Sequence, residues 1–548
     1  MTVNSYQTTA QPSAATLPER TLLERSRRKA RLSAWAVWIV ALLLVLPLAT
    51  YWNTTFHHFG FRDDYSNLSE AHEEPGKIIH FIASHARPVY GVLLEYSFGR
   101  INSIHELEWL RLAGAFGLGL VTVLLFGLLR WLGWNLAAAA FTAATVSLTP
   151  AAQVVASWAT AWPYTVATLF SLSGFALADN ASEHGKRLHW AGAMLLVAVG
   201  ALTYQPSSLF YLVGVVASLP RRREQPLGQN LRWVGTHLII VFAGLAVAFF
   251  MMKMLYLADV FEASARITFE RDPVGKFLWF VREPLLNALN IFVLNDDDAA
   301  TWRAYAASAW ITALLLAAGL GVEWWRRGRQ TGGFWLILLL ALPPAAYSVN
   351  LVVADRYASY RTVFALTGVL LVFLTLSWAN LCSLAGRKGR FIELSGYAVA
   401  LALAIYTARI HAYALIAVPQ SGELQIIQNA ADHVTLQAHQ LIKIYFVQPS
   451  LSDSPAEIAY HDEFGSLSTN NDWLPKEIFD EFMRERFPTM FDREQCYEMQ
   501  TGFGPPPKDK KFDVVIDMRK LRKFSSLYTG LYVEKASPHA LSQPHASP

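Results

Sequence analysis

The sequence predicts an all-α polytopic membrane protein of about eleven transmembrane helices, ending in a small α/β extracytoplasmic C-terminal domain. Three observations predict it. The 548 residues are 53% hydrophobic and 16% charged, with a mean hydropathy of +0.27, whereas a soluble chain carries roughly 25% charged residues. Long uncharged runs alternate with short basic clusters, the pattern of membrane spans separated by loops. Counting those runs as spans places every basic cluster on one side. The net charge of +4 is too small to argue for nucleic acid.

The N-terminus, residues 1–32, carries Arg20, Arg25, Arg27, Arg28, Lys29 and Arg31. It is longer than the basic region of a secretory signal, and no small-residue cleavage site follows the first apolar run, so that run is expected to be a retained span. A hydrocarbon core needs about 17–25 apolar residues at helical rise. Spans are accordingly expected near 33–52, 107–131, 134–149, 153–178, 189–203, 205–220, 233–257, 302–325, 333–353, 361–384 and 394–416. Thr203-Tyr204-Gln205-Pro206 interrupts the stretch 189–220, which could be one kinked span or two short ones. Two spans put Lys186-Arg187 and Arg221-Arg222-Arg223 on the same side, with Arg326-Arg327, Arg329, Arg387-Lys388 and Arg390. A single span would separate the first two clusters.

The transmembrane part then covers 33–416, with a cytoplasmic N-terminus and outward loops at 53–106, 258–301 and 354–360. Residues 417–548 form the extracytoplasmic C-terminal domain. They hold strand-like runs at Leu441–Gln448 and Phe512–Asp517, a helix-like run at Lys476–Arg486, and a final stretch of disordered composition. Cys382 falls in an apolar span and Cys496 in the polar tail, so no disulfide and no cysteine metal site is expected. No internal repeat is evident.

Charge inside a span is costly and marks ion or substrate paths. Here Asp179, Lys253, Glu323 and Arg409 all lie near predicted span ends. That argues against an ion-coupled transporter and for a site at the outer boundary. The first outward loop is densest, with His57-His58, Arg62-Asp63-Asp64-Tyr65, His85, Arg87-Pro88 and Tyr90. Of a paired carboxylate, one member can take a proton from a hydroxyl nucleophile while its neighbour or an arginine holds it. The plainer alternative is a solvated acidic loop or a helix cap. His57, His58, His72, His80 and His85, with Asp63, Asp64 and Glu70, fit no defensible ligand spacing. No cofactor is specified, and a divalent metal stays open.

Outward cations form the second feature: Lys253, Arg266, Arg271, Lys276, Arg282, Arg356 and Arg361. Basic residues are under-represented on that side, and a phosphate at the outer leaflet would give them a purpose. Snorkelling, or pairing of Asp355 with its neighbours, is the alternative. Pro273–Val293 reads as an amphipathic helix lying along the interface.

Three short pieces carry a resemblance: Phe61-Arg62-Asp63-Asp64-Tyr65, Ala86-Arg87-Pro88-Val89-Tyr90, and Ala201-Leu202-Thr203-Tyr204-Gln205-Pro206. With the layout of residues 30–416, they resemble the GT-C class of membrane glycosyltransferases. Within it they most resemble the bacterial O-antigen glucosyltransferase family that uses polyprenyl-phosphate-glucose. The resemblance implies an inverting transfer from a polyprenyl-phosphate-sugar donor to a hydroxyl on a glycan or lipid-linked acceptor. It implies a multi-pass protein of the bacterial inner membrane, with the C-terminus outside. Asp63 and Asp64 would be catalytic. Arg356, Arg361, Lys253, Arg87 and Arg282 would bind the donor phosphate. Tyr65, Tyr90, Tyr204 and Gln205 would bind acceptor or sugar, with Trp158 and Trp162 available for stacking. The competing readings are a surface polysaccharide polymerase or ligase, a lipid-sugar transporter or flippase, and a non-enzymatic scaffold. The first usually carries its main outward loop late in the chain. The second calls for charged span interiors and repeated halves.

Overall fold

The computed structural model describes residues 37–521 apart from 186, 265–267, 298–301, 436–440, 457, 462 and 488–495. The basic N-terminal cluster, Lys186, Arg266 and the final stretch therefore lie outside the described residues.

Five helical stretches are long and apolar enough to cross a membrane: Leu107–Trp131, Arg187–Ser208, Leu227–Leu257, Trp302–Ala345 and Tyr360–His433. Leu136–Val146 and Pro150–Ser157, bent by 53°, make a sixth if taken as one span, and Val37–Thr50 is a shorter apolar helix. The protein is thus multi-pass, but these helices do not by themselves fix the number of spans at eleven, because several expected runs are joined or broken. Within Trp302–Ala345, Gly328 leaves helical geometry at φ 81°, ψ 177°. The chain then folds back, so that a Cβ on Gly332 would lie 2.7 Å from Trp324 Cα. A similar break falls at Gly386, φ 55°, ψ −124°, beyond which the Glu393 carbonyl accepts from Trp378 Nε1 at 3.4 Å. These reversals sit where the sequence separates 302–325 from 333–353 and 361–384 from 394–416. Tyr204 leaves the helix at φ −154°, ψ 107°, and past Ser208 come only the short helix Tyr211–Ala217 and the 3-10 turn Leu219–Arg222 before the helix at Leu227. The expected run 153–178 is broken around Trp158, between Pro150–Ser157 and Pro163–His184.

The loops fall into two groups by their contacts. At one end Arg223 Nε lies 3.1 Å from Glu323 Oε1. Arg326 Nη1 donates to Ser383 Oγ at 2.6 Å, and Asn135 Nδ2 to Glu393 Oε1 at 3.5 Å. At the other end Arg87 Nε donates to Gln205 Oε1 at 2.7 Å, Phe269 forms an antiparallel bridge with Val353, and Lys276 Nζ donates to the Asp355 carbonyl. The described basic clusters at 221–223, 326–329 and 387–390 lie at the first end, where the positive-inside rule leads one to expect the cytoplasm. Reporter fusions near residues 225, 328 and 388 are expected to score inside, and those near 70, 280 and 450 outside. A tail that scores inside would contradict the sidedness.

The segment expected to be the first outward loop is mostly helical, with Asp63–Glu73, Lys77–Ser84 and Pro88–Phe98. Gly76 makes the first turn in the left-handed region at φ 91°, and Pro88 opens the third helix where its missing N–H costs nothing. The expected interfacial helix is two helices, Pro273–Arg282 and Pro284–Leu289, because Pro284 ends the first. In the C-terminal part, β1 (Ile442–Val447), β2 (Tyr497–Gly502) and β3 (Val514–Asp517) form a parallel sheet in the order β2-β1-β3. Helix Leu474–Arg486 packs on both Val418–His433 and Asp63–Glu73, so this part is seated against the helix that begins at the acidic pair.

Candidate functional site

The acidic pair is held by a tightly built turn. Arg111, fully buried, donates to the carbonyls of Thr55 at 3.0 Å, Phe59 at 2.7 Å and His57 at 2.7 Å. Its guanidinium also lies 4.1 Å from the centre of the Phe59 ring. The Tyr65 hydroxyl donates to the Gly60 carbonyl at 2.9 Å and accepts from the Gly60 amide at 3.1 Å. A side chain on Gly60 would strike the Tyr65 ring at 2.8 Å, which explains a glycine there. Tyr65 is therefore a brace for the turn, and its hydroxyl is spent on backbone.

Asp63 and Asp64 open helix Asp63–Glu73, where the helix dipole favours carboxylates, and the two differ sharply. Asp63 is exposed. Asp64 is fully buried, and its oxygens accept from the Phe61 amide at 2.9 Å, the Thr160 amide at 2.8 Å and Thr160 Oγ1 at 2.6 Å. Burial pushes the Asp64 carboxyl up to about 6, against the pull of those three hydrogen bonds and of Arg111.

Thr160 ties this turn to an aromatic stack. Its carbonyl accepts from the Tyr90 hydroxyl at 3.0 Å. Tyr90 lies against Tyr164 with ring centres 5.5 Å apart, and Tyr164 stacks on Tyr204 at 3.7 Å and 12°. Arg87 closes the row, its guanidinium 4.9 Å from the Tyr204 ring centre. Gln205 holds Arg87 Nε and also donates to the Ala86 carbonyl at 3.0 Å. On the other flank Phe61 packs on Trp158 with centres 4.9 Å apart, and the Arg361 guanidinium lies 4.4 Å from the Trp158 ring centre. The three pieces singled out in the sequence thus meet in space.

The C-terminal segment supports both flanks. The Glu423 carboxylate accepts from the amides of Ser468 and Thr469, each at 2.9 Å, and Ser468 Oγ accepts from the Arg62 amide at 3.1 Å. Buried Glu463 accepts from Ser359 Oγ, from the Tyr360 amide at 2.7 Å and from the Arg361 amide at 3.2 Å. His461 bridges Glu283 at 2.9 Å and Asp297 at 3.3 Å, and its ring stacks on Tyr357. Burial opposes its charge, but the Asp297 and Glu283 carboxylates carry its pKa up to about 10. The stability this clamp adds is complete below the ordinary 6.5 and is lost as pH rises through about 10. Of the four described non-glycine residues at positive φ, three belong here: Arg62 at 49°, Ala86 at 61° and His461 at 43°. Backbone in that region costs energy and collects at functional sites.

Other expected cations make no described contact with this cluster. Lys253 and Arg282 are exposed. Arg356 pairs with Glu270 and Asp272, each at 3.7 Å. Arg356 is thus taken up by carboxylates, whereas Arg361 and Arg87 are set against the rings of Trp158 and Tyr204; no described contact brings Lys253, Arg356 and Arg361 together. The histidines scatter too. His72 Nδ1 contacts the Leu68 carbonyl of its own helix, His57 packs on Tyr413, His58 on His105 and His80 on Phe261. Among the described residues no three metal-ligating side chains come together. Thr160, Arg111, Tyr164, Glu423 and Glu463 are the positions that sequence reasoning missed. Only Arg111, a charge inside an apolar run, carried a signal.

No protein-family model matches the chain, and no curated protein matches it. Among solved structures it is similar to the Archaeoglobus fulgidus oligosaccharyltransferase in the apo form. Identity is 11% and the TM-score 0.37, over 75% of this chain and 62% of that one. The same values hold for the archaeal oligosaccharyltransferase AglB from Archaeoglobus fulgidus in complex with an inhibitory peptide and a dolichol-phosphate. For that oligosaccharyltransferase with zinc and sulfate, identity is 12% at TM-score 0.37, over 75% of this chain and 59% of that one. The chain spans less than two thirds of the length of these proteins.

Proposed function

We propose that this protein is an inverting glycosyltransferase of the bacterial inner membrane, of the GT-C kind, with its N-terminus cytoplasmic and C-terminus outside. It moves a sugar from a polyprenyl-phosphate donor to a hydroxyl of a glycan or lipid-linked acceptor at the outer face. The observation that carries the reading is the pairing of an exposed carboxylate, Asp63, with a buried, triply hydrogen-bonded one, Asp64, beside two guanidiniums set against aromatic rings.

Asp63 is the base. It takes the proton of the acceptor hydroxyl as that oxygen bonds to the anomeric carbon from the face opposite the phosphate. The bond from the anomeric carbon to the phosphate oxygen breaks, and its electron pair leaves with the phosphate. Arg361 and Arg87 stabilise the charge that grows there. Asp64 touches no reactant; it fixes the turn that aims Asp63. Tyr204 and Gln205 hold Arg87 in place, and Tyr90 and Tyr164 line the approach. The test is transfer of labelled sugar from polyprenyl-phosphate-sugar by purified, reconstituted protein, with membranes of a strain lacking the protein as acceptor source. An inverted anomeric configuration in the product is expected, and retention would exclude direct displacement. Transfer is expected to survive chelation of divalent ions, because Arg87 and Arg361 already supply positive charge; its loss on chelation would add a metal to the site.

Acidity supplies a separate prediction. Protonated Asp64 can no longer accept all three hydrogen bonds as a carboxylate, so transfer is expected to fall as pH drops through about 6. Stability moves the other way. A carboxyl whose pKa is raised by burial adds stability that is complete below the ordinary 3.8 and is lost as pH rises through about 6. Rate and thermal midpoint measured side by side should diverge over this window, and a joint fall would instead indicate acid unfolding.

A further inference from the structure

At the end of the bundle opposite the acidic pair, several parts of the chain enclose a cavity of about 390 Å³. Its wall includes Trp134, Arg223, Glu323, Arg326 and Arg327. Glu323 is almost wholly buried at 2% exposure, and its Oε1 lies 3.1 Å from Arg223 Nε and 3.3 Å from Arg327 Nε. Its Oε2 accepts from Asn380 Nδ2 at 3.0 Å. Arg326 is anchored separately, donating to Ser383 Oγ at 2.6 Å and to the Ser383 carbonyl at 3.2 Å.

The positive-inside rule accounts for basic residues in inner loops, but it asks for no cavity and no buried carboxylate. Here one carboxylate sets two guanidiniums and a serine sets a third. Three positive charges against one negative leave the cavity wall with two in excess. Fixed guanidiniums in surplus are the chemistry of phosphate recognition, because their planar forks match phosphate oxygens. The volume lies within the range that encloses a small ligand or headgroup. Basic pockets between spans on the inner side hold anionic headgroups.

We propose that this cavity binds a phosphate-bearing anion at the inner membrane boundary, either the headgroup of an anionic phospholipid or a soluble phosphate. The site is separate from the outward cluster and does not depend on the transfer reading.

Native mass spectrometry of the full-length protein in detergent, titrated with phosphatidylglycerol or phosphatidylcholine of equal chain length, tests it. Phosphatidylglycerol is expected to bind at least about tenfold more tightly. The double variant Arg326→Ala/Arg327→Ala should lose that preference. Arg387→Ala/Lys388→Ala removes two exposed charges outside the cavity wall and should keep it. If the first double variant fails to fold, the single Arg326→Gln takes its place. Competition by millimolar inorganic phosphate would identify the bare anion as sufficient, and its failure to compete would identify the lipid headgroup. Either result supports the site. Equal binding of the two lipids to the unaltered protein, or equal loss in the two double variants, would reduce the cluster to diffuse surface charge and overturn the proposal.

Discussion

Asp63→Asn is expected to lower sugar transfer by about 10²- to 10⁴-fold, the usual cost of losing a general base, while the protein stays folded in the membrane. The side chain is exposed at the first turn of its helix, so the amide fits without repacking and the thermal midpoint should move less than in a variant of the buried Asp64. Asp64→Asn should behave differently. All three groups facing the Asp64 oxygens are donors: the Phe61 amide, the Thr160 amide and Thr160 Oγ1. Because Phe61 meets Oδ2 and Thr160 meets Oδ1, an amide must turn its NH2 towards at least one of those backbone donors. Burying a donor without its acceptor costs about 1–3 kcal/mol. This variant should therefore lose transfer and also melt earlier. Thermal unfolding in detergent beside a transfer assay separates the two. A normal rate in Asp63→Asn, or equal midpoints in both variants, would reverse the assignment of base and support.

Arg361→Ala is expected to lose about 10²- to 10³-fold in transfer, comparable to removing one preorganised donor from a developing anion. The loss should appear in the dependence on polyprenyl-phosphate-sugar concentration. Lysine should rescue only partly, because it lacks the planar fork that meets two phosphate oxygens. Arg356→Ala provides the contrast. Its guanidinium is 44% exposed and is shared between Glu270 and Asp272, an arrangement worth about 0–1 kcal/mol, so donor dependence should stay close to normal. If the two variants exchanged these phenotypes, the phosphate would lie beside Pro273–Arg282 and away from Trp158.

Much of the architecture was legible because the bilayer makes simple demands. The expected span 107–131 coincides with helix Leu107–Trp131. The interruption at Tyr204 is a true departure from helical geometry, as the Gln205-Pro206 sequence implied. The acidic pair, Arg87, Tyr90, Tyr204, Gln205 and Arg361 could all be picked out because polar or aromatic residues at the outer ends of spans stand out against lipid-facing runs. What was not legible depends on contacts remote in sequence. Thr160 lies in an uncharged stretch and matters only because Asp64, 96 positions earlier, meets it. Glu463 is one of many carboxylates in a polar tail, and its burial under residues 359–361 follows from how that tail is seated. Arg356 and Arg361 are similar on paper, and only the positions of Glu270 and Asp272 separate them. Strand Tyr497–Gly502 carries only a short alternation, Tyr497 and Met499 against Glu498 and Gln500, too brief to announce a strand within a polar tail.

The most direct test is donor titration of the reconstituted protein and its Asp63→Asn variant, reading bound donor and transferred sugar in the same samples. The account predicts equal donor binding in both and transfer only by the unaltered protein. Transfer by Asp63→Asn at the unaltered rate would contradict it, because the exposed carboxylate would then have no part in moving the sugar.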